Sequence, residues 1–138
     1  MGVLLHHLNI AVTVISFLAF STAFSTVIRG APDTNISSVL CNQGVYTSGD
    51  PFAISLAYIL QELETATSAQ KNYDYYDISP YPNAFAYGHA SCNPNATSSD
   101  CTTCLGAAKT DMLATCQSNI GGRAVLGDCS ISIEFDFH

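Results

Sequence analysis

Six cysteines constrain this chain more than any other feature. Cys41, Cys92, Cys101, Cys104, Cys116 and Cys129 are separated by 50, 8, 2, 11 and 12 residues. An even number of cysteines in a short chain points first to disulfides in an exported domain. Cys101-Thr102-Thr103-Cys104 has zinc-ligand spacing, but no second close pair exists, and His89 is the one histidine between the first cysteine and the last. A structural metal is therefore not expected. A redox pair would want basic neighbours, and none precedes Lys109. Six cysteines allow fifteen pairings. If Cys101 and Cys104 open one helix, they point in similar directions and close poorly on each other, so each should reach a different element.

Disulfides require export, and the N-terminus supplies a reason for it. The first 28 residues contain no Lys, Arg, Asp or Glu, and Leu8 to Phe20 is almost wholly apolar. This is the layout of a signal peptide, although only the chain amine, His6 and His7 stand in for its basic start. Small residues at Ala23 and Ser25 place cleavage after Ser25. A transmembrane anchor over residues 8–28 is the competing reading. It is opposed by Ser21, Thr22, Ser25 and Thr26, which stand where a stop-transfer charge cluster would be expected. Residues 26–138 then form one secreted, extracellular domain with a thin core that cross-links would reinforce.

Asp50-Pro51 reads as a helix start, with Asp50 as cap and Pro51 in the first turn. Phe52, Leu56, Ile59, Leu60 and Leu63 recur at helical spacing and extend that helix to about Thr67. Val45 and Tyr46 suggest a short edge strand, and the Tyr- and Asp-rich stretch from Lys71 to Asn83 a long loop. Phe85, Tyr87 and His89 alternate with Ala84, Ala86, Gly88 and Ala90, a strand whose small-residue face invites a helix to lie close. A second helix starts near Asp100, capped by Ser98 or Ser99. It runs to about Ser118 and buries Cys101, Cys104, Leu105, Ala108, Met112, Leu113 and Cys116.

Arg123–Leu126 and Cys129–Phe137 read as a hairpin around Gly127-Asp128. In the last strand Cys129, Ile131, Ile133, Phe135 and Phe137 face one way, and Ser130, Ser132, Glu134 and Asp136 the other, so one sheet face is core and one is wet. The class is α+β: two helices packed on one face of an antiparallel sheet.

Charge narrows the function. The net charge is −7, and Arg29, Lys71, Lys109 and Arg123 form no run. Nucleic acid, anionic membrane and cationic membrane disruption are poor fits. Glu134 and Asp136 lie about 6.6 Å apart along one strand face, a spacing open to glycosidase chemistry. Nothing in the sequence raises the pKa of either, and His89 reads as structural, so the chain is not read as an enzyme and no cofactor is expected. Asn35-Ile36-Ser37 and Asn95-Ala96-Thr97 are glycosylation sequons. The Tyr73–Tyr81 run either packs over a sheet edge or offers a protein-binding surface.

The frame Cys92-x8-Cys101-x2-Cys104-x11-Cys116-x12-Cys129 has Cys41-Asn42 upstream and Ser48-Gly49-Asp50-Pro51-Phe52 opening a helix. Around it stand Ala86-Tyr87-Gly88, Ser99-Asp100-Cys101, Asn119-Ile120-Gly121 and Asp128-Cys129. Together they resemble the Gnk2-homologous domain of plants, also called the salt stress response/antifungal domain or DUF26, over roughly Ser37 to Phe137. Receptor members carry two such modules, whereas this chain has room for one and is expected to stand alone.

The resemblance implies a five-stranded antiparallel sheet with two helices. It also implies the pairing Cys41–Cys116, Cys92–Cys101 and Cys104–Cys129. Finally, it implies a mannose-binding, antifungal role in the apoplast. The family's sugar-binding Asn, Arg and Glu fall on Asn42, Arg123 and Glu134, with fungal cell-wall mannan as the expected partner. Those side chains suit a neutral pyranose: an amide, a forked donor and a two-oxygen acceptor meet vicinal hydroxyls. Arg123 and Glu134 are further expected to orient one another across neighbouring strands. A surface ion pair and a turn-capping Asn42 are the alternative reading of the trio. An extracellular protein-interaction module that binds no sugar is the alternative function.

Overall fold

The protein is described by a computed structural model over residues 31–136. The signal-peptide reading of residues 1–25, its cleavage point, Arg29 and Phe137 lie outside the described residues.

Five strands and two α-helices follow one another as β1 (Ile36–Cys41), α1 (Pro51–Ala66), β2 (Asp74–Ile78), β3 (Phe85–Cys92), α2 (Ser98–Cys116), β4 (Gly122–Leu126) and β5 (Cys129–Asp136). The strands form one sheet in the order β1-β4-β5-β3-β2, antiparallel throughout. Asp50 caps α1 by accepting from the Phe52 N–H, with Pro51 at the first position as expected. Thr97 caps α2, its hydroxyl accepting from the Asp100 N–H at 3.0 Å. Ser98 and Ser99, the expected caps, are already inside that helix.

The sequence reading misplaces some local structure. The first strand precedes Cys41 instead of following it, and Val45 makes only an isolated bridge to Asn119. The stretch read as a long loop contains a short 3-10 turn and β2, which pairs with β3 along its whole length. Its aspartates and flanking prolines disguise a strand because an edge position leaves half of its surface in water. α2 stops at Cys116, not Ser118, because Gln117 takes a positive φ of 44° and donates its N–H to the Leu113 carbonyl. Leu113, expected in the core, is 39% exposed.

Both helices cover one sheet face. Phe52, Ile59, Leu63, Leu105, Ala108, Ala86, Ala90, Ala124, Ile131 and Ile133 are fully or almost fully buried between them. A Cβ at Gly88 would come within 2.7 Å of Ile59 and Leu63 side-chain carbons, so its missing side chain is what lets α1 lie on β3. Cys41 is bonded to Cys116, Cys92 to Cys101 and Cys104 to Cys129, the pairing that the resemblance implies. Cys101 and Cys104 thereby tie one helix to two different strands. Loop closure alone assigns about 4.5, 2.6 and 3.5 kcal/mol to bridges with sequence separations of 75, 9 and 25. No described cysteine is free, as expected of a domain that folds in an oxidising compartment.

Candidate functional site

Strand alternation turns the other sheet face outward. Across it, strand registers align a row in which Leu40 faces Arg123, Arg123 faces Ser132, Ser132 faces His89 and His89 faces Tyr76. One step along, Glu134 faces Tyr87 and Tyr87 faces Ile78. A polar strip thus lies over β4 and β5, with tyrosines on the β3–β2 side.

At the β1 end an open cleft of about 420 Å³ is lined by Leu40, Cys41, Asn42, Gly122, Arg123, Ser132, Ile133, Glu134 and Phe135. Asn42, Arg123 and Glu134, far apart in sequence, therefore share one wall-to-wall depression. Each is held by a different device. The Cys41–Cys116 bridge and the Asn42 N–H to Gly121 carbonyl bond (3.0 Å) hold the backbone beside the last turn of α2. The Asn42 Oδ1 accepts from the Gly44 N–H at 3.0 Å and its carbonyl accepts from Asn119 Nδ2 at 2.7 Å, which leaves the side-chain Nδ2 as the donor for a ligand. A Cβ on Gly121 would meet the Ile133 carbonyl at 2.7 Å and Asn42 Nδ2 at 3.2 Å, so only glycine allows this approach.

Arg123 and Glu134 are exposed and sit diagonally on adjacent strands, since Arg123 is opposite Ser132. Side chains on such a diagonal start about 7–8 Å apart. The mutual pairing expected from sequence is absent: among the described residues the ion pairs are His89–Asp74 and Lys109–Glu64. Both charged heads remain available to hydroxyls.

The turn reading of Asn42 is thus true of its oxygen, while the ion-pair reading of Arg123 and Glu134 fails. Sequence reasoning missed Ser132 and Leu40 as cleft residues and Asn119 as the support of Asn42. The polar parity of Ser132 on the last strand was the available signal, but Asn119 has none, because its contact is made across 77 residues.

His89, read from sequence as structural, bonds through its ring to Asp74 and stacks on Tyr76 with centroids 3.9 Å apart.

The salt stress response/antifungal family model matches residues 40–136. The chain belongs to that family. It is 36% identical over 127 residues to antifungal protein ginkbilobin-like protein 1 of Picea sitchensis, which covers 91% of this chain and 90% of the relative. Against antifungal protein ginkbilobin-2 of Ginkgo biloba it is 35% identical over 120 residues, covering 85% and 89%. The fold also matches the tandem DUF26 ectodomain of the Arabidopsis thaliana cysteine-rich receptor-like protein PDLP5 with a TM-score of 0.66 at 19% identity. That match covers 72% of this chain and 49% of the ectodomain. A second ectodomain, from PDLP8, gives a TM-score of 0.62 at 22% identity, covering 75% and 46%. The likeness to the ectodomains is one of fold, and this chain spans about half of each. The curated relatives are matched over nearly their whole length and are named for antifungal defence, so a defence role is what membership in the salt stress response/antifungal family supports.

Proposed function

We propose that the chain is a secreted lectin-like defence protein that binds mannose and mannan through Asn42, Arg123 and Glu134. The observation that carries this reading is the convergence of those residues, separated by 80 and 10 positions, on one open cleft. Their chemistry is that of a neutral-sugar site: the Asn42 amide donates, the Arg123 guanidinium donates in a fork, and the Glu134 carboxylate accepts from two hydroxyls. An open cleft with three polar anchors binds a single sugar weakly, on the order of 4 to 6 kcal/mol. Strength at a fungal wall would come from repeated mannose units. In this reading the leader is removed after Ser25, and Asn35 and Asn95, both exposed, are available for glycosylation.

The test is an NMR titration of the secreted, disulfide-intact protein with mannose and mannobiose, repeated for Asn42→Ala, Arg123→Ala and Glu134→Ala. Shifts centred on the three residues and lost in each variant support the site. A folded wild type that shows no mannose-dependent shift at tens of millimolar removes it. The protein-interaction alternative would then be taken up.

A further inference from the structure

Beside the cleft lies a second depression of about 210 Å³, lined by Tyr76, Tyr87, Gly88, His89, Ser132 and Glu134. Ser132 and Glu134 border both depressions, so the two are continuous across β5. Their lining differs in kind. The first offers an amide, a guanidinium and a carboxylate; the second adds two tyrosines and a histidine. Tyr76 is 70% exposed, its ring stacks on His89 at an interplanar angle of 8°, and Asp74 bonds to the histidine. Tyr87 stands directly opposite Glu134 on the β3–β5 ladder. Gly88 turns its missing side chain toward the helices and brings only backbone to this face.

We infer that the second depression is a subsite for a further ring of a mannose oligosaccharide whose first ring occupies the Asn42–Arg123–Glu134 cleft. This inference rests on the proposed mannose reading. Pyranose rings present a strip of C–H groups on one face and hydroxyls at the rim. Tyrosine suits that surface, with an apolar ring face and a polar tip. Glu134 sits on the shared border, where it can accept from hydroxyls of both rings. Neighbouring strands are about 4.8 Å apart, so β4 and β3 are separated by roughly 10 Å, which a chain of three linked sugars can span. The ligand class is therefore a short oligosaccharide lying across the strands from β4 toward β2, rather than a lone monosaccharide. A tenfold gain in affinity corresponds to covering about 60 Å² of apolar surface, counted over sugar and protein together.

Mannose and a linear mannotriose are titrated into wild type and into Tyr76→Ala, Tyr87→Ala and Tyr87→Phe, with folding checked by amide dispersion and disulfide mapping. Expected for wild type is mannotriose binding about tenfold tighter than mannose, with shifts extending from Arg123 and Glu134 to Tyr87, His89 and Tyr76. In both alanine variants the mannotriose-to-mannose affinity ratio falls toward one, and in Tyr87→Phe, which keeps the ring, most of it remains. Wild type that binds mannose at the first cleft, but mannotriose no tighter and without shifts on β2 or β3, overturns the subsite and leaves the mannose reading standing. No response to either sugar overturns the mannose reading itself. Tyr76→Ala removes a largely exposed ring, so the test survives even if Tyr87→Ala fails to fold.

Discussion

The two faces of one sheet are built from the same strands and obey opposite rules. On the inner face Ala86, Gly88, Ala90, Ala124, Ile131 and Ile133 meet the helices, and each is small or aliphatic because a helix must fit at close range. On the outer face their sequence neighbours Tyr87, His89, Arg123, Ser132 and Glu134 point away from the helices and are half-buried or exposed. Burial leaves the inner residues little choice of type. The outer residues are under no such constraint, which makes a convergent polar set there informative about binding. Stability should therefore be concentrated on one face and ligand chemistry on the other, and variants can break that division.

The largest effect belongs to a bridge that serves both. Replacing Cys41 and Cys116 together by Ser should cost about 4.5 kcal/mol by loop closure. Because Asn42 follows Cys41 directly, sugar binding should fall as well; denaturant unfolding and mannose titration read the two losses. An unfolding midpoint unchanged from wild type would show that packing alone holds β1 to α2.

Next is the inner face itself. Leu63→Ala empties a fully buried position against Gly88 and should destabilise by about 2–5 kcal/mol. Mannose shifts in the variant that remains folded should persist at wild-type positions. Simultaneous loss of sugar binding under conditions where the fold is intact would mean the faces are coupled.

Smaller still for stability are Arg123→Ala and Glu134→Ala, which should move unfolding by no more than about 0.5 kcal/mol while abolishing mannose shifts. A cost of several kcal/mol in either would reassign these side chains to a structural role.

The smallest effect lies at the rim, where the β4–β5 turn clasps the N-terminal segment. Asp128 accepts from the Asp33 N–H (2.8 Å) and from Asn93 Nδ2 (3.1 Å). The backbone bond first, and the Asn93 bond second, hold its carboxyl below the ordinary carboxylate range, against a slight opposing desolvation. A depressed folded pKa contributes stability that is complete above the unfolded value of about 3.9 and disappears as pH falls through the lower folded value. Thermal melts below pH 4 should therefore lose slightly less stability on acidification in Asp128→Asn than in wild type. An NMR titration placing Asp128 at the unperturbed value would contradict the clasp.

Much of this was legible in the residues. Cysteine parity, the Asp50-Pro51 start, the spacing from Phe52 to Leu63 and the alternation from Cys129 to Phe135 are local signals, because periodic burial writes itself into neighbouring residues. The small-residue face of β3 even foretold a close helix. β2 was not legible: its Tyr and Asp residues form a strand only because β3 offers a ladder of hydrogen bonds, which a local reading cannot supply. β1 was misplaced for the same reason, since β4, its partner, lies more than 80 residues downstream.

The sequence by itself determined the α+β class and the two amphipathic helices and, through family resemblance, singled out Asn42, Arg123 and Glu134 as the proposed sugar-binding set. Only the tertiary structure decided that Arg123 and Glu134 stand on a diagonal without pairing, that Asn42 spends its side-chain oxygen on a turn, and that the cleft continues into a tyrosine-lined neighbour. Each of these depends on strand register and on contacts between segments distant in the chain. Register is set by the global fit of the buried face to its helices, and the exposed face inherits whatever geometry that fit imposes.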